Sequence, residues 1–350
     1  MTAEDLKDLA HECGFELAGI AAAEPSADFD RFNTWRDLGM AGEMTYLTDH
    51  RGDKRADPRA LLPNAQSILC VGKLYQTAYP LSSDAGHDGH AWISRYAWGA
   101  DYHDVLRQGL EELVARLSAQ YDQPFEWKIC VDTAPLLERS YARAAGLGWI
   151  GKNTCLINQG RGSWFFLGEL LLSIPLSPDM PPADRCGSCR RCIDACPTAA
   201  IVPDSSRGFR LDSRLCISYL TIEKRGAVPV DIQPAMGYHV FGCDICQDVC
   251  PWNRRAPNTE NPAFQPINAS PPLGDLAGLT EQQFRDRFRY SPVWRAKYTG
   301  FLRNVAIALG NSGNSEAIMH LERLASHPDA TVASTAQAAL ERVYSSSDLD

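Results

Sequence analysis

The 350-residue chain reads as three units in series: an α/β segment, a short cysteine-dense segment dominated by loops, and an α-helical tail. Three observations predict this. Helix and strand periodicities alternate to about residue 177, eight of the twelve cysteines fall between Cys186 and Cys250, and the last stretch carries only helical patterning. A chain of this length exceeds one ordinary core and suits two or three domains.

In the first unit, residues 1–177, an amphipathic stretch over 104–118 predicts a helix, and apolar, β-rich runs at 67–74, 125–131 and 164–172 predict strands. The proline-rich run PLSPDMPPAD breaks that pattern, and the cysteine-dense unit follows over 178–255. A second Pro/Asn-rich linker, 256–272, leads into the helical region 273–350. Its part 301–344 resembles a paired-helix, HEAT-like repeat turning at Gly310-Asn311-Ser312-Gly313. One such repeat cannot bury its apolar face alone, so it is expected to pack on the rest of the protein.

The net charge of -9 argues against a protein that coats nucleic acid by unfocused electrostatics; an RNA partner has to be met at a local basic face. The best candidate for a membrane span, 164–176, is too short and is interrupted by Gly168 and Glu169. The N-terminal MTAEDLKDLAHECGF places acidic residues where a signal peptide needs an apolar core, so a cytoplasmic protein without membrane contact is expected. In that reducing compartment, closely spaced cysteines are metal ligands or redox groups before they are disulfides.

The run Cys186-x-x-Cys189-x-x-Cys192-x-x-x-Cys196-Pro197 has the spacing of a bacterial ferredoxin. Cys243-x-x-Cys246-x-x-x-Cys250-Pro251 repeats it with one member missing. The pair predicts a ferredoxin-like double-cluster iron–sulfur domain holding two 4Fe-4S clusters. Short spacings let three thiolates converge on one cubane, while the longer gap and the proline carry the fourth to the other. Crossed ligation then assigns Cys186, Cys189, Cys192 and Cys250 to one cluster, and Cys196, Cys243 and Cys246 to the second. Cys216, the one other cysteine between the runs, completes the second set. Structural zinc also takes four thiolates but rarely uses two linked runs of this form. Cys13, Cys70, Cys130 and Cys155 lie in apolar or mixed surroundings and are expected in the core.

Two clusters move electrons but make no bonds to an organic substrate, so the α/β unit is the expected home of the acceptor and the chemistry. Gly146-x-Gly148-x-x-Gly151-Lys152-Asn153-Thr154 matches a dinucleotide fingerprint in form and nearly matches a P-loop. Both motifs follow a strand and open a helix, whereas this one follows a helical pattern over 136–145 and leads into an apolar, strand-like piece. Asn153 also replaces the hydroxyl that would bind magnesium. At the end of the strand 125–131 stands Asp132, which is equally suited to cap the following helix or to act as an acid.

Five separated pieces, in order, carry a resemblance. They are Lys54-Arg55-Ala56-Asp57-Pro58, the segment 94–103 from Ser94-Arg95 to Asp101-Tyr102-His103, Val131-Asp132-Thr133-Ala134-Pro135, the 146–154 segment and the doubled cysteine runs. Together they resemble the epoxyqueuosine reductase family, over nearly the whole chain and including a HEAT-like tail. The resemblance implies a cobalamin-dependent oxidoreductase that reduces the epoxide of epoxyqueuosine, at the tRNA anticodon wobble position, to the alkene of queuosine. It implies partners as well: tRNA carrying epoxyqueuosine and an external electron donor, with the enzyme a monomer. Asp132 matches the family's proton donor, and burial beside a corrin is expected to raise its pKa. Arg55, Asp132, Lys152, Asn153, Thr154 and Ser163 are the implied cobalamin contacts, with Ser218 and Glu223 near the second cluster. The Asp-x-His-x-x-Gly motif that gives cobalt a histidine is absent, since Leu106 stands where the glycine belongs, so His103 is not expected on the metal.

For RNA, the stretch 285–303 offers Arg287, Arg289, Arg295 and Lys297 with Tyr290, Trp294 and Tyr298 interleaved. The plainer alternative is an amphipathic helix whose aromatics pack inward. Arg190, Arg191, Arg207, Arg210 and Arg214 are candidates to extend that face around the clusters. Competing functions are another corrinoid reductase such as a reductive dehalogenase, an electron carrier with an appended interaction domain, and a zinc-stabilised RNA-binding module.

Overall fold

The computed structural model describes residues 1–83, 89–205 and 208–347; Arg207 lies outside them. Helix α1 (Ala3–Glu12) starts at a Thr2/Asp5 capping box and buries Leu6, Leu9 and Ala10. Strands β1 (Leu17–Ala22) and β2 (Ser67–Leu74) follow, then helix α2 (Tyr102–Gln120), β3 (Trp127–Cys130), α3 (Glu138–Ala144) and β4 (Phe165–Leu172). The sheet order is β1-β2-β4-β3, and every pairing in it is antiparallel. Central strands β2 and β4 are buried almost throughout because both faces are covered. Helices α1 and α2 pack on one face through Leu6, Leu9, Leu106, Leu110 and Leu113; α3 packs on the other through Tyr141 and Ala142. That double cover explains why both strands read as continuous apolar runs.

The glycine-rich segment is neither a dinucleotide turn nor a P-loop. It ends α3, crosses Gly146 at φ +81° and enters a two-stranded hairpin, Trp149–Ile150 against Leu156–Ile157. A Cβ on Gly148 would meet the Ile157 carbonyl oxygen at 2.3 Å, so close approach of the two hairpin arms requires glycine there.

The cysteine-rich unit is built from short pieces: helices Arg191–Asp194 and Ile245–Asp248, the hairpin Ile201–Asp204 with Gly208–Leu211, and α4 (Ile217–Ile222). The tail contains α5 (Glu281–Phe288), α6 (Tyr298–Asn311), α7 (Glu316–Ala325) and α8 (Ala330–Ser347), so three helices stand where the repeat pattern suggests a pair. α6 is buried from Phe301 to Leu309, including Arg303 and Asn304. Arg303 donates to the carbonyls of Leu220, Lys224 and Gly226, and Asn304 to those of Thr221 and Val240. These bonds fasten the tail to the cysteine-rich unit and satisfy polar groups that burial alone would penalise. The segment carrying Trp92, Ile93 and Trp98 also packs into the tail's core, although it belongs to the first unit by sequence. Among the described residues, no helix is long and apolar enough to cross a membrane.

Candidate functional site

All twelve cysteines are free thiols. Cys186, Cys189, Cys192 and Cys250 line one small cavity, closed by Pro251 and Trp252. Cys196, Cys216, Cys243 and Cys246 form a second group whose members bear on one another electrostatically. Burial and neighbouring thiols push Cys192 up to about 11 and raise Cys216, Cys243 and Cys250 as well. Four thiolates therefore gather here only against a cationic partner. Main-chain dipoles already favour that state: N–H groups of Tyr219 and Ser218 face the Cys216 sulfur, Ile245 faces Cys243, Trp252 faces Cys250, and Ala200 N lies 3.4 Å from Cys196 Sγ. An all-sulfur donor set with N–H···S support suits an iron–sulfur cluster. Among the described residues, no three His, Cys, Asp or Glu side chains form a ready-made site for a single metal ion. Thiolates at the corners of a cubane stand wider apart than ligands of one ion.

Cys155 departs from the core role expected of it. Its thiol hydrogen-bonds Cys246 at the second group, which holds its pKa below the ordinary thiol value. Cys70 and Cys130 do lie in the sheet's core.

A larger cavity, about 430 Å³, opens beside the cysteine groups. Phe32, Trp35, Met44, Tyr46, Leu136 and Leu211 give it flat apolar walls, while Arg31, Arg55, Arg139 and Arg210 supply donors. Arg55 Nη1 donates to the Leu136 carbonyl at 3.1 Å. The Nε atoms of Arg55 and Arg210 are buried with no protein acceptor. Apolar walls with unspent donors fit a broad, flat ligand fringed with amides, and a corrinoid is such a ligand.

Asp132 stands in this cavity's wall at the end of β3, with φ +52°. A non-glycine residue in that region costs about 1–3 kcal/mol, and its N–H is held by Glu138 Oε1 at 2.5 Å. It caps no helix: Leu137 is the N-cap of α3, and no side chain caps that helix. His103 Nε2 instead donates to Asp132 Oδ2 at 3.1 Å, and His103 Nδ1 to Asp101 Oδ1 at 2.6 Å. Asp101 also caps α2, accepting from the His103 N–H, so the start of that helix aims the ring.

Burial works against a charged His103, yet the hydrogen bonds to Asp101 and Asp132 raise its pKa to about 9. Burial likewise pushes Asp132 up, but the His103 hydrogen bond and the charges of His103 and Arg295 outweigh it and hold the carboxyl below its ordinary value. At neutral pH the proton resides on His103 and Asp132 is ionised. The nearest store of an available proton is therefore the imidazole of His103.

Of the predicted cofactor contacts, Arg55, Asp132 and Thr154 line the cavity; Lys152, Asn153 and Ser163 do not. Lys152 Nζ donates to the carbonyls of Gly187 and Cys189, at 2.6 and 2.9 Å, clamping the first cysteine loop. Asn153 Nδ2 donates to the Cys246 carbonyl, and Ser163 is bonded to Asn253 and Gln247. Ser218 serves Cys216 through its main chain, and Glu223 pairs with Arg295 at 2.5 Å. The basic stretch divides. Arg287, Arg289 and Lys297 are exposed beside an exposed Tyr290, whereas Trp294 and Tyr298 pack toward the core. Arg295 lies over the Tyr46 ring, 5.3 Å from its centroid, and so joins the tail to the cavity. Sequence reasoning missed Glu138, Arg139 and the partnership of His103, and gave Arg210 to the basic face where the structure puts it in the cavity wall; of these, only the His103 bond to Asp101 had a signal, in the Asp101-Tyr102-His103 triplet.

The family model described as "Epoxyqueuosine reductase QueG, DUF1730" matches residues 55–133, and that of a 4Fe-4S double cluster binding domain matches residues 185–253. An epoxyqueuosine reductase from Xanthomonas campestris pv. campestris is 43% identical over 331 residues, covering 93% of this chain and 92% of its own. A crystal structure of an epoxyqueuosine reductase with a tRNA-Tyr epoxyqueuosine-modified stem loop superposes with a TM-score of 0.88 at 30% identity, over 97% of this chain and 89% of that one. The Bacillus subtilis epoxyqueuosine reductase, solved with its catalytic aspartate loop swung out of the active site, gives 0.86 at 29% identity over 97% and 90%.

Proposed function

The chain belongs to the epoxyqueuosine reductase family, and on that premise we propose that it reduces the epoxide of epoxyqueuosine in tRNA to the alkene of queuosine. The dehalogenase alternative gives way to a family match over nine-tenths of the chain. Converting an epoxide to an alkene takes up two electrons and two protons and releases the oxygen as water. Two 4Fe-4S clusters, on the two cysteine groups, would carry the electrons inward from an external donor. Cobalamin in the larger cavity would supply a strongly nucleophilic reduced cobalt.

Everything else falls to the chain's own residues. Arg55, Arg210 and Thr154 would hold the amide fringe of the corrin, and the Phe32, Trp35 and Tyr46 wall its flat body. Thr154 lines the large cavity while Asn153 lines the cysteine cavity, so a single loop would stand between cofactor and cluster. Asp132 would relay to the departing epoxide oxygen the proton held on His103 Nε2, its hydrogen-bonded neighbour. Arg287, Arg289 and Lys297, with Tyr290 for stacking, would meet the RNA. Arg295 would keep that surface in register with the cavity. The observation that carries the reading is the Asp132–His103 pair, an acid with its own proton store, facing a donor-fringed cavity next to eight clustered thiols. Mass spectrometry of tRNA after anaerobic incubation with reconstituted protein and a strong reductant tests it. Loss of one oxygen that requires added cobalamin is the expected result; unchanged epoxyqueuosine with clusters and cobalamin bound would overturn it.

A further inference from the structure

Beneath the Asp132 loop lies a second acidic pair that the proton path does not use. Glu169 sits in the middle of β4, opposite Cys70 on β2 and Cys130 on β3, on the sheet face covered by α3. It is 0% exposed, and neither carboxyl oxygen has a hydrogen-bond partner of standard geometry. The group that bears on it most is the carboxyl of Glu138, from the first turn of α3. Glu138 in turn accepts the N–H of Asp132, at the residue with the strained backbone. Two acids whose carboxyls bear on each other, one of them cut off from water, resist being ionised together.

We propose that Glu138, backed by Glu169, is a positioning residue: a proton-operated latch that holds the Asp132 loop in while ionised and lets it go on taking up a proton. The proposal rests on Asp132 being the acid of the reaction. Burial and the charge of Asp132 raise Glu138 to about 7, while the Asp132 N–H favours its charged form; burial and the Glu138 carboxyl push Glu169 well above the ordinary carboxylate range. The other groups facing Glu138 are Arg55 and Arg139, which favour its charge, and Tyr102, Cys70 and Cys130, which remain protonated. An aspartate at positive φ has a standing tendency to relax, so weakening the bond on its own N–H loosens the loop at that residue, while Arg55 keeps hold of the Ala134 and Leu136 carbonyls beyond it. The Bacillus subtilis relative, captured with its aspartate loop out, shows that such a loop has a second position to go to.

Hydrogen–deuterium exchange of the 131–137 peptide in the full chain, corrected for intrinsic pH dependence, tests the latch without relying on turnover. In the unaltered protein, protection is expected to fall as pH drops through about 7. Glu138→Ala should exchange about tenfold faster at every pH. Glu169→Leu removes a proton donor from Glu138 while filling the site with an apolar group of similar size. Its midpoint should rise by about one pH unit, and Glu169→Gln, which still donates, should match the parent. Protection independent of pH from 5.5 to 8.5, roughly a unit and a half either side of that midpoint, or equal midpoints in Glu169→Leu and the parent, would overturn the proposal. Because exchange is read without substrate, a failed latch and a failed epoxide reduction are separate results.

Discussion

The cysteine-rich unit and the cavity around Asp132 adjoin across one loop, 152–154, yet they are assembled in opposite ways. In the first, three of the four cysteines that line one cavity fall within 186–192, and the chain between them has almost no freedom in where it sends them. In the second, the lining comes from segments around residues 28–47, 55, 132–140, 150–154 and 204–213, brought together by the sheet and α3. The difference teaches that ligand chemistry is carried by residue identity, since a thiolate binds iron wherever it is placed correctly. Acid–base chemistry is carried by surroundings: Asp132 and Glu138 are both carboxylic acids, and one is lowered while the other is raised.

Substitutions can sharpen or break this contrast. Cys250→Ser should have the largest effect: loss of the first cluster, iron falling from about eight to about four atoms per chain, and no turnover. Full iron content in that variant would break the local-ligation side. Asp132→Asn should leave the visible cluster absorption unchanged while lowering kcat by roughly 10²–10⁴-fold. His103→Gln should cost less, about 10–100-fold, and change the pH profile. His103 is raised above its ordinary 6.5, so its charged, doubly bonded form is intact below that value and lost as pH rises through about 9. The parent's activity is expected to fall on that alkaline limb, and the variant's profile to lack it. Arg289→Ala should have the smallest effect, a few-fold weaker tRNA affinity with the salt dependence of binding reduced by about one contact.

How much of this was legible can be followed residue by residue. Strand β2 is found where the apolar run 67–74 puts it, and α2 extends the predicted 104–118 by only two residues at each end. The strand leading to Asp132 is shorter than its pattern, Trp127–Cys130, because it is an edge strand with a half-exposed Trp127. His103 lacks the motif of a cobalt ligand, and of its two carboxylate partners only Asp101 shows in the sequence; Asp132, twenty-nine positions away, leaves no trace in spacing. Glu169 read as an interruption in an apolar run, and Lys152 and Asn153 read as cofactor contacts before their bonds to the cysteine loops were visible. The sequence by itself determined the cysteine framework, the central strands and the position of Asp132 at a strand end, because periodicity and ligand spacing act over a few residues. Only the tertiary structure decided which charges face one another across the cavity, and with them where the protons sit, because a pKa is set through space by burial and neighbours that the chain order does not reveal.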